Sequence, residues 1–248
     1  MITTIDAAPQ GQSMHFSALG EQLRTLAGQS VKIEHCLGQR YIAAGIKDIR
    51  VEIEGIPGNA LGAYLGAGSS ITVRGNAQDA TGDTMSGGTI TIHGSTGDAA
   101  GYGMRGGVIL VEGNAGYRAG IHMKEYGETC PKLVIGGRAG DFLGEYQAGG
   151  IIVVLGLGNQ AGAAPLGRFC GTGQHGGRMF IRGEVLPPEL PAQVAVRKAD
   201  AADRTLLQPL LAQFSAAFGA DLAALESSPY FLLTPNSSNP YTDLYAIY

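Results

Sequence analysis

Between residues 58 and 183 the chain repeats one short phrase. Its clearest copies are Gly82-Asp-Thr-Met85-Ser-Gly87-Gly88-Thr-Ile90-Thr-Ile92-His-Gly94 and Gly101-Tyr-Gly-Met104-Arg-Gly106-Gly107-Val-Ile109-Leu-Val111-Glu-Gly113. The closing glycines Gly75, Gly94 and Gly113 are 19 residues apart. A unit that short cannot bury its own apolar face, so copies must stack on one another. Thr89-Ile90-Thr91-Ile92 alternates polar and apolar, which places Ile90 and Ile92 on one face of a strand. The pattern predicts an all-β solenoid, a parallel β-helix of short coils about 4.8 Å apart.

Recurring glycines at one phase read as tight corners, because glycine accepts a positive φ without a Cβ clash. The corner glycines are Gly68, Gly87, Gly88, Gly106, Gly107, Gly149, Gly150, Gly176 and Gly177. Met85, Met104 and Met123 share a phase and are expected to stack inside, as methionine fills irregular gaps. Gln147 occupies that phase in a later coil.

The ends of the repeat are less regular. Residues 1–13 read as a polar lead-in. Ser17 to Gly28 reads as a helix with Leu19, Leu23 and Leu26 at helical spacing, Ser17 as its N-cap and Gly28 as its stop. That helix is expected to cover the open end of the solenoid. Two coils carry insertions: the step from Gly113 to Gly137 is 24 residues and that from Gly156 to Gly183 is 27. The extra residues are Lys124 to Pro131 and Asn159 to Arg168. After Pro187, Pro188 and Pro191 a helical pattern runs from Ala201 to Leu225, broken at Gly219, and an aromatic tail follows from Tyr230 to Tyr248. This divides the chain into an N-terminal segment (1–30), the β-helix (31–185) and a linker, helices and tail (186–248).

Charged residues are 15% of the 248, against a usual value near 25%, which points to surface covered by a partner chain. The net charge of −4 and the lack of a basic stripe argue against nucleic acid. No apolar stretch approaches 20 residues and no signal peptide pattern begins the chain, so a cytoplasmic protein is expected, with no membrane association. Cys36, Cys130 and Cys170 form no CxxC pair, and the five histidines show no ligand spacing. The glycines are periodic and include no phosphate-loop pattern. Asp141 and Glu145 are near in sequence, but no nucleophile–base set can be composed around them. The chain reads as a scaffold with no catalytic residue, cofactor site or metal site of its own. A self-assembling solenoid and a carbohydrate-type enzyme with a groove of carboxylates are the other readings; the repeat strands offer few carboxylates, Glu112 being an isolated case.

The repeats, with Gly38-Gln-Arg-Tyr-Ile-Ala-Ala-Gly45, Gly120-Ile-His-Met-Lys-Glu-Tyr126, Gly140-Asp-Phe-Leu-Gly-Glu-Tyr146 and Gly171-Thr-Gly-Gln-His-Gly-Gly177, resemble the C-terminal (GXGXG) domain of the glutamate synthase large subunit in its stand-alone form. The tail strings Asn239-Pro-Tyr241 and Leu244-Tyr245 are similar to the ends of those chains. The resemblance implies a right-handed β-helix in a non-catalytic structural role. It also implies partners: an FMN/iron–sulfur synthase chain and a type II glutaminase chain, which together move the amide nitrogen of glutamine to 2-oxoglutarate. FMN and iron–sulfur clusters belong to those chains. A related solenoid is the GXGXG subunit of formylmethanofuran dehydrogenase and of the formyltransferase/hydrolase complex, and N-methylglutamate synthase has a matching subunit. Partner contacts are expected where coils depart from the repeat, at Arg40, Tyr41, Lys124, Glu125, Tyr126 and Tyr146; a homo-oligomer is left open.

Overall fold

A computed structural model of the chain describes residues 2–160, 162–187 and 189–237. Nine strands lie side by side in sequence order, all parallel: β1 (Ile2–Asp6), β2 (Ser30–Leu37), β3 (Arg50–Ile56), β4 (Ser70–Val73), β5 (Ser86–Ile92), β6 (Gly106–Val111), β7 (Lys132–Ile135), β8 (Ala148–Val154) and β9 (Gly176–Arg182). Each is one coil of a β-solenoid, and every crossover from β2 onward runs through turns. A second side of the coil is marked by single bridges joining Ala77, Thr96, Ala115, Ala139 and Leu166 in a column.

The alternation in each strand becomes a register of columns. Ile71, Ile90, Ile109, Leu133, Ile152 and Met179 are successive partners, and so are Val73, Ile92, Val111, Ile135, Val154 and Ile181. All of them are buried in one core. Met85, Met104 and Met123 belong to that core and are fully buried. The expected methionine stack is therefore inside the coil.

The Gly-Gly pairs do a different job from the one expected. They lie inside the strand starts as bulges: the β5–β6 register shifts between Ser86 and Thr89, and the β8–β9 register between Ala148 and Ile151. Only the second glycine of each pair is left-handed, with φ of 80°, 82°, 83° and 73° at Gly88, Gly107, Gly150 and Gly177; Gly68 has φ 74°. The first glycine is needed for close approach. A Cβ on Gly106 would lie 2.4 Å from the Ser86 carbonyl oxygen, and one on Gly176 would lie 2.2 Å from that of Ala148.

Side-chain ladders also fix the coil register. Asn76 Oδ1 accepts from the Ser95 N–H (2.8 Å), Ser95 Oγ from Asn114 (3.0 Å), and Asn114 Oδ1 from Arg138 (2.8 Å). At another corner Asp79, Asp98 and Asp141 each accept the N–H of the matching residue one coil on, Asp98, Tyr117 and Arg168. Each rung ties a residue to its equivalent 19 to 27 positions away.

Both ends of the core are plugged. Helix α1 (Phe16–Thr25) buries Leu19 and Leu23 against the first coils. Its N-cap is His15, whose ring accepts from the Ser17 N–H, so the cap falls two residues before the expected serine. Residues 2–6 of the expected lead-in form β1, paired along its whole length with β2. At the far end Leu186, Leu190 and Val194 belong to the same apolar core as Cys170 and Met179. There the parallel order ends: β11 (Tyr230–Pro235) pairs antiparallel with β9, and β10 (Val194–Lys198) pairs antiparallel with β11. Part of the expected tail is thus a strand of the sheet; the strings from Asn239 onward lie outside the described residues.

Helices α2 (Ala201–Phe218) and α3 (Leu222–Ser227) meet at Gly219, a left-handed C-cap with φ 72°. They lie on the outer face of the sheet. Leu207, Leu210, Leu211 and Phe214 pack on Leu110, Val134, Ile151, Val153 and Phe180, forming a second apolar layer. This explains the unbroken apolar runs Val108 to Val111 and Ile151 to Val154: both faces of those strands are covered. The matching outward positions of earlier strands, Glu52, Thr72 and Thr91, are polar and partly exposed.

Candidate functional site

The third side of each coil is an arm of unusual backbone. Every second residue is left-handed: φ is 54°, 71° and 56° at Ala99, Gly101 and Gly103, and 59°, 64° and 52° at Phe142, Gly144 and Tyr146. A non-glycine residue in that region costs about 1–2 kcal/mol. The cost is offset by hydrogen bonds that run alternately to the next and the previous coil. Phe142 N–H donates to Arg168 O (2.8 Å), Gly144 N–H to Ala119 O (2.9 Å) and Tyr146 N–H to Thr172 O (2.8 Å). Most buried residues of the arm are small or apolar, such as Ala119 and Leu143, with Glu145 a charged exception, while the left-handed residues Phe142 and Tyr146 present rings to their neighbours.

Those rings form two ladders. In one, Tyr117, Phe142 and Phe169 follow at centroid distances of 5.3 and 4.9 Å. Arg118 lies over the first two rings, 4.9 and 5.0 Å from their centroids, and its Nε donates to the nearly buried Glu145 at 2.7 Å. In the other, Tyr102 meets His122 edge-on, and His122 stacks parallel on Tyr146 at 5.2 Å and 10°. Tyr146 also rests against Gly173, where a Cβ would come within 2.4 Å of the ring.

The first insertion folds beside the second ladder. Tyr126 and Thr129 exchange both backbone hydrogen bonds around a Gly127-Glu128 turn, with Gly127 at φ 59°. Thr129 Oγ1 ties this hairpin to Arg105 O at 2.7 Å. Glu125 Oε1 accepts from the Gly150 N–H at 3.0 Å, so its carboxylate braces the bulge of β8. Tyr126 is 68% exposed.

The six predicted contact residues thus fall in two places. Lys124, Glu125, Tyr126 and Tyr146 share the neighbourhood of the hairpin. Arg40 and Tyr41 are several coils away beside α1: Arg40 lies over the Phe16 ring at 5.0 Å, and Tyr41 is 6.0 Å from it. Reading by insertion missed Arg118, Glu145, Tyr102, His122 and the phenylalanines. For Arg118 and the phenylalanines the signal was present as recurrence, since Arg118, Phe142 and Phe169 occupy one phase of the repeat.

The remaining polar chemistry is taken up by the scaffold. Burial pushes the Cys170 thiol up to about 12 and the Cys36 thiol up to about 11, and burial with Glu125 nearby raises Cys130. Such thiols are poor nucleophiles near neutral pH. Among the described residues no group of three His, Cys, Asp or Glu side chains is placed to hold a metal ion. No described helix is long and apolar enough to cross a membrane.

The model of the GXGXG motif family matches residues 13–226. The chain belongs to this family. One relative is an uncharacterized protein of Methanocaldococcus jannaschii, 45% identical over 94% of both chains. Among solved structures, the chain is similar to one chain of the formyltransferase/hydrolase complex of Methylorubrum extorquens in complex with methylofuran. That similarity has a TM-score of 0.60 and 26% identity, and it covers 83% of this chain and 77% of the other.

Proposed function

We propose that this chain is a non-catalytic β-helix subunit of a multi-chain enzyme, a glutamate synthase-type complex. The observation that carries the subunit role is the arm: strained backbone, held by the whole stack of coils, presents ring ladders and a hairpin tip to solvent, while the chain's thiols and most carboxylates serve the scaffold. Strain of this kind persists where the surface it shapes has a use. The strings at residues 38–45, 120–126, 140–146 and 171–177 favour the glutamate synthase type, with FMN and iron–sulfur chemistry on a synthase chain and glutamine hydrolysis on a glutaminase chain. A second reading is supported by the similarity to a chain of the formyltransferase/hydrolase complex: the same scaffold in a formyl-transfer assembly.

The test is purification of the tagged chain from its native source at low salt, with mass spectrometry of co-purifying chains and a visible spectrum. A flavin spectrum with synthase and glutaminase chains supports the first reading. Formyltransferase chains without flavin replace it with the second. A chain that elutes alone at every salt concentration overturns the subunit reading.

A further inference from the structure

We propose that the corner formed by Arg105, Lys124, Lys132 and Arg178, with Tyr102 and Tyr126, docks a carboxylate-rich surface of a partner protein chain. This rests on the reading of the chain as a subunit. Arg105 and Lys124 occupy one column, because the Lys124 N–H donates to Met104 O just before Arg105. Lys132 and Arg178 occupy an outward column of the sheet, each paired with Ile151 between them. The two columns flank the same hairpin: Thr129 bonds Arg105, and both Lys132 and Arg178 act electrostatically on Cys130.

Four cations elsewhere pair with carboxylates, while others, such as Lys47, Arg50 and Arg138, stand singly and without one among the described residues. Lys32 pairs with Glu34 and Glu54, Arg74 with Glu52, Arg118 with Glu145, and Arg197 with Asp200 and Asp203. Arg105, Lys124, Lys132 and Arg178 have no such carboxylate among the described residues, in a protein with 21 acidic and 17 basic side chains. The acids at the corner are Glu125, engaged by the Gly150 N–H, and Glu128 in the hairpin turn. Four cations against two carboxylates leave a local positive excess on an acidic molecule, and complementary charge is what steers and registers a docking partner.

The rings argue for protein over nucleic acid. Single-stranded nucleic acid binds by stacking bases on open aromatic faces. Here Tyr146 is already engaged, by His122 and by Gly173. Ring edges carry partial positive charge and favour carboxylates. Tyr102 and Tyr126, 41% and 68% exposed, add apolar area of the residue types enriched at protein interfaces.

The experiment is zero-length carbodiimide coupling of the natively purified complex, which joins lysine amines to contacting carboxylates. Coupling of Lys124 and Lys132 to Asp or Glu of a co-purifying chain is expected. In parallel, R105E/K124E/K132E should lower recovery of that chain by at least about tenfold while R24E/K198E leaves it unchanged. Coupling confined to Lys32, Lys47 and Lys198, coupling between two copies of this chain, or nuclease-sensitive material in place of protein would each overturn the docking surface and leave the subunit reading standing. A wild-type chain that retains no partner overturns both. The coupling result does not depend on whether the triple variant folds.

Discussion

Two glutamines sit where the repeat elsewhere uses methionine, and they offer a sharp test of how this core is held. Gln147 and Gln174 are both fully buried. Gln147 Nε2 donates to Gly149 O (3.1 Å) and Gly150 O (3.2 Å), while Gln174 Nε2 donates to Gln147 Oε1 (3.3 Å) and Gly176 O (3.2 Å). Gln174 Oε1 is left without a partner among the described residues, at the point where the ladder runs out of coils. A buried unsatisfied acceptor costs about 1–3 kcal/mol. Gln174→Met removes that acceptor but strips Gln147 Oε1 of its donor, so one orphan replaces another and stability should stay within about 1 kcal/mol of wild type. Gln147→Met leaves Gln174 Nε2 with Gly176 O as its one acceptor and Gln174 Oε1 still unpartnered, and should cost about 1–3 kcal/mol. The double variant removes every orphan side-chain atom of the pair and extends the methionine column. It should gain about 1–3 kcal/mol over wild type. At about 2–4 °C per kcal/mol for a chain of this size, that is a rise of roughly 2–12 °C in Tm by circular dichroism. A double variant that melts below wild type would refute the argument, as would a Gln174→Met variant that gains as much as the pair.

Three further outcomes follow from the packing. Gly107→Val should abolish soluble folding or cost more than about 3 kcal/mol, because φ is 82° there and the new Cβ would lie 2.6 Å from Gly88 O and 2.7 Å from Met85 Cε; expression and a urea melt decide it. Phe214→Ala should cost about 3–5 kcal/mol and free α2, seen as loss of hydrogen-exchange protection in the helix, since Phe214 is 1% exposed and rests over Gly136. Burial alone would raise the Asp203 carboxyl, but its pair with Arg197 and its capping box with Asp200 outweigh that and hold it below the ordinary 3.8. Its contribution is complete above that value and is lost as pH falls through the lowered one. Asp203→Asn should therefore flatten the acid limb of the stability curve below about pH 4.

The solenoid was legible because its period is covalent information: Gly75, Gly94 and Gly113 mark coils whatever the tertiary context. The methionine column followed from phase alone. Other features needed partners far along the chain. Ile2 to Ile5 is β-branched throughout but too short to mark a strand until it pairs with Ser30 to Glu34, and Tyr230 to Pro235 becomes a strand by capping β9. The Gly-Gly pairs were read as corners because sequence shows a need for glycine without showing whether φ or proximity imposes it; at Gly106 proximity alone does, and at Gly107 both do. The candidate surface was half legible. Lys124 and Tyr126 stood out as breaks in the repeat, whereas Tyr102 and His122 sit in regular phase and emerge only when coils are stacked.

Helix α2 reaches across β6 to β9 through Leu110, Val134, Val153 and Phe180, and its last residue, Phe218, meets the His93 ring edge-on just past β5; the apolar layer includes no residue of β3 to β5. The rod is therefore splinted over half its length. In a one-dimensional stack, where each coil leans only on its neighbours, loss of order should begin at the unsplinted end and stall at β6. The hairpin and the ring ladders grow from the splinted coils, so the surface offered to a partner would be the last part of the rod to unravel.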